Sequence, residues 1–311
     1  MWIRFITASL VIFFAGKGMP EYIRFFSHQP YRHPQLRFFF LSAIISLPEL
    51  SVIIGTIVVA HDPGLGLASI LGINLFNLFI LALSLLLNKD RELHIPHITI
   101  LFNIALMVIF CLGIWKGKMG FLHVSWASLI LLITCLLYTK YTKMFIDSAP
   151  ATPYKPKLKT SIIYLRFFIA SLLIFATGGP LAYACHEMIT TFHLNNGLIG
   201  GYLLAGITCL PRLSASFSQL RDDKLSEVMN NTLQSNVFTL GILAFLTDLF
   251  YAKNTLFTMA TNMHLWLALE GILLITIMCL TLLYKIRSVL NPFLVIIIYI
   301  TSFLIFLYKT L

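Results

Sequence analysis

Two ionisable residues lie inside apolar, proline-containing phrases that occur once in each half of the chain. The phrase at Leu47–Ser51 reads Leu-Pro-Glu-Leu-Ser, and the phrase at Leu210–Ser214 reads Leu-Pro-Arg-Leu-Ser. They differ only at Glu49 and Arg212, which are 163 residues apart. A carboxylate or a guanidinium within membrane-length apolar sequence is costly to bury and is typical of sites that bind or move ions. Each proline removes a backbone donor, so we expect both helices to be interrupted and their freed carbonyls to serve as oxygen ligands. The alternative is that each proline only kinks a helix for packing.

Two further pairs of phrases recur in the same order. Gly72–Asn77 (Gly-Ile-Asn-Leu-Phe-Asn) matches Gln234–Thr239 (Gln-Ser-Asn-Val-Phe-Thr), and Phe14–Gly18 matches Phe175–Gly179. All three pairs have offsets of 161 to 163 residues, which indicates an internal repeat. The amides of the second pair fit either an ion site or interhelical hydrogen bonds. The glycines of the third pair are expected to let the first and sixth helices pack closely over the core.

The composition is that of a polytopic membrane protein, with the lipid bilayer as its main partner. Hydrophobic residues make up 59% of the chain and charged residues 11%, and the mean hydropathy is +0.89. A soluble domain carries roughly a quarter charged residues. Apolar windows of membrane-spanning length predict ten helices, at 2–19, 36–60, 66–87, 95–114, 121–139, 161–184, 196–219, 229–250, 264–284 and 289–308.

The net charge of +10 follows the positive-inside rule and does not indicate a nucleic-acid partner. If the amino terminus is outside, the inner loops hold 14 Lys and Arg residues and the outer segments hold five. The sequence therefore predicts an integral plasma (inner) membrane protein, multi-pass, with both termini outside. The basic loop 140–159 is then cytoplasmic.

The same loop divides the chain into two halves. We expect a first repeat at 1–145, a basic linker at 146–160 and a second repeat at 161–311. Because each half holds five predicted helices, an odd number, the halves enter the membrane from opposite faces. The predicted fold class is an all-α membrane protein with ten transmembrane helices arranged as two inverted five-helix repeats.

In these features the chain resembles the Ca²⁺:cation antiporter superfamily, which contains the Na⁺/Ca²⁺ exchangers. Each repeat of that family carries a Thr-Ser-x-Pro-Glu phrase on its second helix and a Gly-Ser-Asn-x-Phe-Asn/Asp phrase on its third. The resemblance implies an exchanger-like fold and a secondary transporter rather than an enzyme. It also implies alternating access around a midplane site and Na⁺, H⁺ or Ca²⁺ as transported ions, with no cofactor. The sequence leaves the oligomeric state open, and a monomer is compatible with it.

The resemblance also implies a set of site residues. It places Na⁺ or Ca²⁺ at Glu49 and Asn77, and it puts Arg212 at the position of the glutamate in the second repeat. The further implied ligands are Thr208, Ser235 and Thr239, with Ser46, Asn74 and Asn236 as secondary positions and backbone carbonyls around residues 45 and 208. This chain departs from the family pattern at Ile45, Ile73, Cys209, Arg212 and Thr239.

Arg212 leaves three interpretations open. It is a tethered substitute for one bound cation in a working cation antiporter, or it attracts an anion, or it pairs with Glu49 in a non-transporting or altered-specificity homologue. Arg212 can also snorkel toward the inner face. At 4 Å and an effective dielectric near 20, two unit charges interact by about 4 kcal/mol, so a guanidinium strongly disfavours Ca²⁺ nearby. We expect the cation antiporter.

Two other acidic residues fall in predicted spans. Asp248 is expected at the outer end of the eighth helix. Glu270 lies deeper in its helix, where it either joins a proton path or makes a structural hydrogen bond. The chain has no HExxH metal motif, no GxSxG nucleophile elbow and no phosphate-binding glycine loop, which argues against an enzyme.

Overall fold

The computed structural model describes residues 1–29, 34–88, 95–116, 120–121, 123–146, 158–221, 225–283 and 290–309, and within these it is almost entirely helical. The helices are α1 (Trp2–Gly16), α2 (Met19–Ser27), α3 (Pro34–Ile45), α4 (Leu47–Val58), α5 (Pro63–Leu87), α6 (His97–Lys116), α7 (Trp126–Ile146), α8 (Thr160–Phe192), α9 (Asn196–Leu198), α10 (Ala205–Arg221), α11 (Leu225–Phe238), α12 (Ala244–Phe250), α13 (Asn262–Leu283) and α14 (Leu290–Tyr308). Two π-helical segments, Ile199–Leu204 and Thr239–Leu243, lead into α10 and α12, and a 3₁₀ turn spans Leu256–Met259. Strands β1 (Gly120–Phe121) and β2 (Val124–Ser125) form an antiparallel hairpin.

Within the described part of the chain, eight helical stretches are long and apolar enough to cross a membrane. A ninth candidate is the pair formed by α3 and α4, which is bent by 75°. The apolar part of α7, Trp126–Tyr141, is shorter than these. The protein is thus a multi-pass helical membrane protein, and the count of ten spans stays a prediction.

Some helix bounds differ from the apolar windows. The first helical stretch continues to Ser27, eight residues beyond the predicted end, and α8 continues to Phe192 rather than ending at 184. Polar residues end an apolar window but do not end a helix. The α8 helix ends only where His193 adopts a left-handed conformation with φ of 53°. Residues 147–157 of the predicted linker lie outside the described residues.

Helix α5 lies at the centre of the molecule. Most of its residues are apolar and buried, which is typical of a helix enclosed by others. It packs against α10, α11, α13 and α14 and the π-helical segment Ile199–Leu204. At that last crossing, a Cβ added to Gly72 would lie 2.0 Å from the carbonyl oxygen of Gly201. The two backbones therefore touch directly.

Helices α1 and α8 pack together and cover α4. A Cβ on Gly178 of α8 would lie 1.8 Å from Ser51 Oγ, and the Ser51 hydroxyl donates to the Ile174 carbonyl at 2.8 Å. The expected close packing of the first and sixth helices over the core is present at Gly16 and Gly178. A Cβ on Gly18, by contrast, would meet Tyr22 of its own chain segment.

We expect Gly72→Ala to destabilise the protein strongly, because the new methyl group would meet backbone atoms that have no room to move. Overpacking of this kind costs about 1–3 kcal/mol, and contact with backbone places the variant at the upper end. The measurement is thermal unfolding of the detergent-purified protein. Gly206→Ala is the matched control, since only Phe76, at 3.8 Å, lies near its added Cβ. Equal losses of stability in both variants would contradict the backbone contact.

Candidate ion-binding site

The first proline phrase lies at a sharp break between two helices. Helix α3 ends at Ile45, and Ser46, with φ of −101° and ψ of 19°, leaves helical geometry before α4 begins at Leu47. Pro48 occupies the first turn of α4, where its missing N–H is tolerated. Glu49 follows it and is 1% exposed. The break therefore brings a carboxylate and a free carbonyl to one point in the interior.

The second proline phrase is built differently. Pro211 lies inside the continuous helix α10, so the expectation that both prolines interrupt their helices is wrong for this half. One missing hydrogen bond does not break a helix that is supported by its neighbours. The irregular backbone lies earlier instead, in the π-helical segment Ile199–Leu204. The Arg212 side chain projects from α10 one residue after Pro211.

The guanidinium of Arg212 is held by oxygen atoms from three helices and the α3–α4 break. Its Nη2 donates to Glu49 Oε1 at 2.6 Å, and its Nη1 donates to Asn77 Oδ1 at 2.6 Å. Weaker contacts run from Nη2 to Ser46 Oγ at 3.4 Å and to the Ile45 carbonyl at 3.5 Å. The side chain of Arg212 is 8% exposed, so it is directed to Glu49 and does not snorkel to the inner face.

A second layer of polar contacts joins the two halves of the chain behind this pair. The Asn77 amide nitrogen donates to Asn236 Oδ1 at 2.7 Å, and the hydroxyls of Ser46 and Ser235 lie 3.1 Å apart. All four side chains are buried. Six of the nine sequence-predicted site residues, including Glu49 and Arg212, therefore form one connected cluster.

The other three predicted residues lie nearby but outside that cluster. Thr208 and Asn74 each donate to carbonyls of their own helix, about one turn earlier. The Thr239 hydroxyl is buried in the second π-helical segment without a hydrogen-bond partner. Among the described residues no group of three or more His, Cys, Asp and Glu is arranged to hold a metal ion.

Cys209 also contacts the site, although it was not predicted from the sequence to belong to it. Its thiol donates to Glu49 Oε1 at 3.7 Å, and the residue is fully buried. The signal was present, because Cys209 stands where the related phrase has a serine. A thiol is a weak donor, so it adds little to the charge balance that Arg212 supplies.

A small cavity adjoins the ion pair. Its volume is about 50 Å³, enough for a few water molecules. Glu49, Thr208 and Arg212 line one part of it, and the rest is lined by residues of α1, α2, the α3–α4 break, α10 and α11. The cavity therefore extends from the pair into the space between α2 and the facing parts of α10 and α11. The second carboxylate oxygen of Glu49 has no hydrogen-bond partner among the described residues.

We expect Glu49→Gln and Arg212→Gln each to lower the free energy of unfolding by about 3–5 kcal/mol, because each leaves one buried charge without its partner. The double variant should recover much of that loss, since it buries no charge. Unfolding of the detergent-purified single and double variants measures the coupling. Arg4→Gln is the control, because the Arg4–Glu187 pair is exposed and should contribute little. Additive single effects in the double variant would contradict a coupled pair.

The similarity of this chain to known proteins is found by comparing structures and not by comparing sequences. No family model matches the sequence, and no curated protein matches it. The solved structure of the H⁺/Ca²⁺ exchanger CAX matches with a TM-score of 0.69 and 15% identity, covering 99% of this chain and 88% of CAX. Native YfkE matches with a TM-score of 0.71 and 16% identity, covering 97% and 91%. The sodium-calcium exchanger NCX_Mj, soaked with Na⁺ and Sr²⁺, matches with 0.62 and 16%, covering 96% of each chain.

These similarities span nearly the whole chain at low identity, which is the pattern of a shared fold with a divergent sequence. They confirm the all-α, exchanger-like membrane fold that the resemblance to the Ca²⁺:cation antiporter superfamily predicted. The chain thus has the fold of the H⁺/Ca²⁺ and sodium-calcium exchanger structures.

Proposed function

We propose that this protein is an integral membrane cation antiporter in which Arg212 replaces one ion-binding carboxylate. It is a secondary transporter rather than an enzyme, and it alternates access around the Glu49–Arg212 site. One observation carries the proposal. The Arg212 guanidinium is surrounded by a carboxylate, an amide, a hydroxyl and a carbonyl oxygen, from Glu49, Asn77, Ser46 and Ile45.

These four oxygen types are the ligands that proteins use for hard cations such as Na⁺ and Ca²⁺. Here they converge on a cation that belongs to the chain itself. Arg212 therefore acts as a tethered substitute for one bound cation and leaves Glu49 to bind the transported ion. The fold shared with an H⁺/Ca²⁺ exchanger and a sodium-calcium exchanger supports antiport as the mode of transport.

The charge of the pair selects monovalent ions. Glu49 and Arg212 sum to zero, whereas two carboxylates would offer a charge of −2 to a divalent ion. At 4 Å and an effective dielectric near 20, Ca²⁺ would be repelled by Arg212 by about 8 kcal/mol, twice the value for Na⁺. The second oxygen of Glu49, which has no hydrogen-bond partner among the described residues, can accept one Na⁺. We therefore propose Na⁺ and H⁺ as the exchanged ions.

The proposed architecture has ten membrane spans in two inverted five-helix repeats, at 1–145 and 161–311. The cytoplasmic linker 146–160 joins them, and both termini lie outside. Contacts across the halves support this arrangement: Ser46 meets Ser235, and Asn77 meets Asn236. The positions of the basic loops support the orientation. Because one chain supplies every residue of the cluster, a monomer is sufficient for transport.

A second candidate function rests on the direct contact between the charges. Arg212 and Glu49 lie 2.6 Å apart with no space for an ion between them. In a non-transporting homologue, this pair would hold the core in one conformation. Breaking a buried pair is costly, so such a lock would be effective even if it adds no net stability.

The test uses the full-length protein in liposomes that carry a Na⁺ gradient, with an internal pH dye and radioactive Ca²⁺ as readouts. We expect Na⁺-dependent proton movement from the wild type and none from Glu49→Gln. We expect Arg212→Glu to gain Ca²⁺ uptake, because it restores two carboxylates. Glu187→Gln, an exposed acid outside the site, serves as the control that retains wild-type flux.

Three outcomes would overturn the antiport proposal. A silent wild type together with Ca²⁺ uptake by Arg212→Glu identifies the non-transporting homologue. Anion flux that Arg212→Gln abolishes identifies an anion carrier. Absence of flux in every variant, with each protein folded by its unfolding transition, removes transport altogether.

A further inference from the structure

A second carboxyl group is buried in the helical core, separate from the Glu49–Arg212 pair. Glu270 is the ninth residue of α13, about 12 Å along the helix axis from its first residue. It is 8% exposed, and none of its hydrogen-bond partners is a cation. An uncompensated carboxylate at this depth costs several kcal/mol, so its surroundings need an explanation.

Glu270 is one member of a closed triangle of oxygen atoms. Its Oε2 lies 2.8 Å from the Tyr202 hydroxyl and 2.6 Å from the Ser302 hydroxyl. The two hydroxyls lie 2.7 Å from each other. All three separations are typical of O–H···O hydrogen bonds, and we assign one two-centre bond to each side of the triangle.

The number of hydrogen atoms that these bonds require determines the protonation state of Glu270. Each bond needs one hydrogen, and the hydroxyls of Tyr202 and Ser302 supply one each. The third hydrogen must then belong to Glu270. In the resulting ring the carboxyl proton is donated to one hydroxyl, that hydroxyl donates to the other, and the second donates back to Oε2. The remaining oxygen, Oε1, has no partner in the described part of the chain, which a neutral carbonyl oxygen tolerates better than an anionic one.

Few other titratable groups face this ring. Helices α5 and α9, which pack against α13, contain none, and α6 contributes His97, Cys111 and Lys116 without a bond to Glu270. Tyr299 of α14 lies near both Glu270 and Cys209. The ring of Tyr202 also packs against Tyr299 at 5.4 Å between centroids, with Phe303 and Phe306 beyond it. These aromatic rings pack around the Tyr202 side chain, which is 5% exposed.

We propose that Glu270, Tyr202 and Ser302 form a proton-binding site, distinct from the Glu49–Arg212 site, where the coupling proton of the transporter binds. The coupling role rests on the proposed antiport function, whereas the proton-binding site itself does not. Tyr202 belongs to the π-helical segment that runs directly into α10. It precedes Arg212 by ten residues, about 15 Å along one helix. Loss of the proton removes the bond between Tyr202 and Ser302 and so changes the bonds of the segment that carries Arg212.

Infrared difference spectroscopy of the purified full-length protein tests the site without any transport. At neutral pH we expect a protonated-carboxyl C=O band that shifts in D₂O and is absent from Glu270→Gln. Tyr202→Phe and Ser302→Ala should shift the band, because each removes a partner of Oε2. Glu187→Gln is the matched control, since it removes a carboxyl outside both sites and leaves the band unchanged. A wild-type spectrum without a band assignable to Glu270 overturns the proposal.

Liposome flux tests the coupling role. We expect Glu270→Gln to abolish Na⁺ flux driven by a pH gradient while retaining exchange of Na⁺ for Na⁺, because the Glu49 site is intact. Unchanged pH-driven flux in this variant overturns the coupling role. A wild type without any cation flux overturns the proposed antiport function, and the infrared band then still decides whether Glu270 holds a proton.

Discussion

The buried ion pair between Glu49 and Arg212 constrains the rest of the structure. Each charge would be costly alone in the apolar interior, and the 2.6 Å contact gives each a partner of opposite charge. The contact is possible only because the helix break at Ser46 and the long helix α10 bring the two side chains to one point. Asn77 then fixes the guanidinium from a third direction, through a second bond of 2.6 Å. Arg212 thus links α10 to α4 and α5 through polar contacts. Apolar packing alone would not fix the positions of these helices relative to one another.

The packing around the pair is compatible with movement. Helices α1 and α8 touch α4 through glycines, and Gly16 contacts both Pro211 and Pro48. Smooth, small-residue contacts in membranes let helices approach closely without interlocking side chains. The core around α5, by contrast, is crossed by large side chains and by the Gly72–Gly201 backbone contact. Under the proposed alternating access, α1 and α8 move over the core at these glycine contacts.

The sequence predicted the class of fold and most of the candidate site for a physical reason. A charge within an apolar span is rare, and an internal repeat gives each such residue a counterpart, so Glu49, Asn77 and Arg212 are visible without coordinates. The positions at which the helices are broken could not be predicted from the sequence in the same way. Pro48 and Pro211 have the same flanking residues, yet only the first lies at a break. Whether a proline bends a helix depends on neighbouring helices, and a single phrase does not contain them.

Glu49 and Glu270, two of the buried acids in the described part of the chain, show two solutions to one problem. Glu49 is compensated by a guanidinium and can stay ionised, whereas Glu270 has two hydroxyls and no cation. A hydroxyl pair can stabilise an anion only by donating both hydrogens to it, which would leave the 2.7 Å contact between Tyr202 and Ser302 without one. A proton on Glu270 supplies it. Arg212, with its fixed charge, therefore lies on the helical stretch 196–221. Glu270, with its removable proton, is hydrogen-bonded to Tyr202 of the same stretch. A change of protonation at one end of this stretch alters the bonds that hold it, and Arg212 lies near the other end.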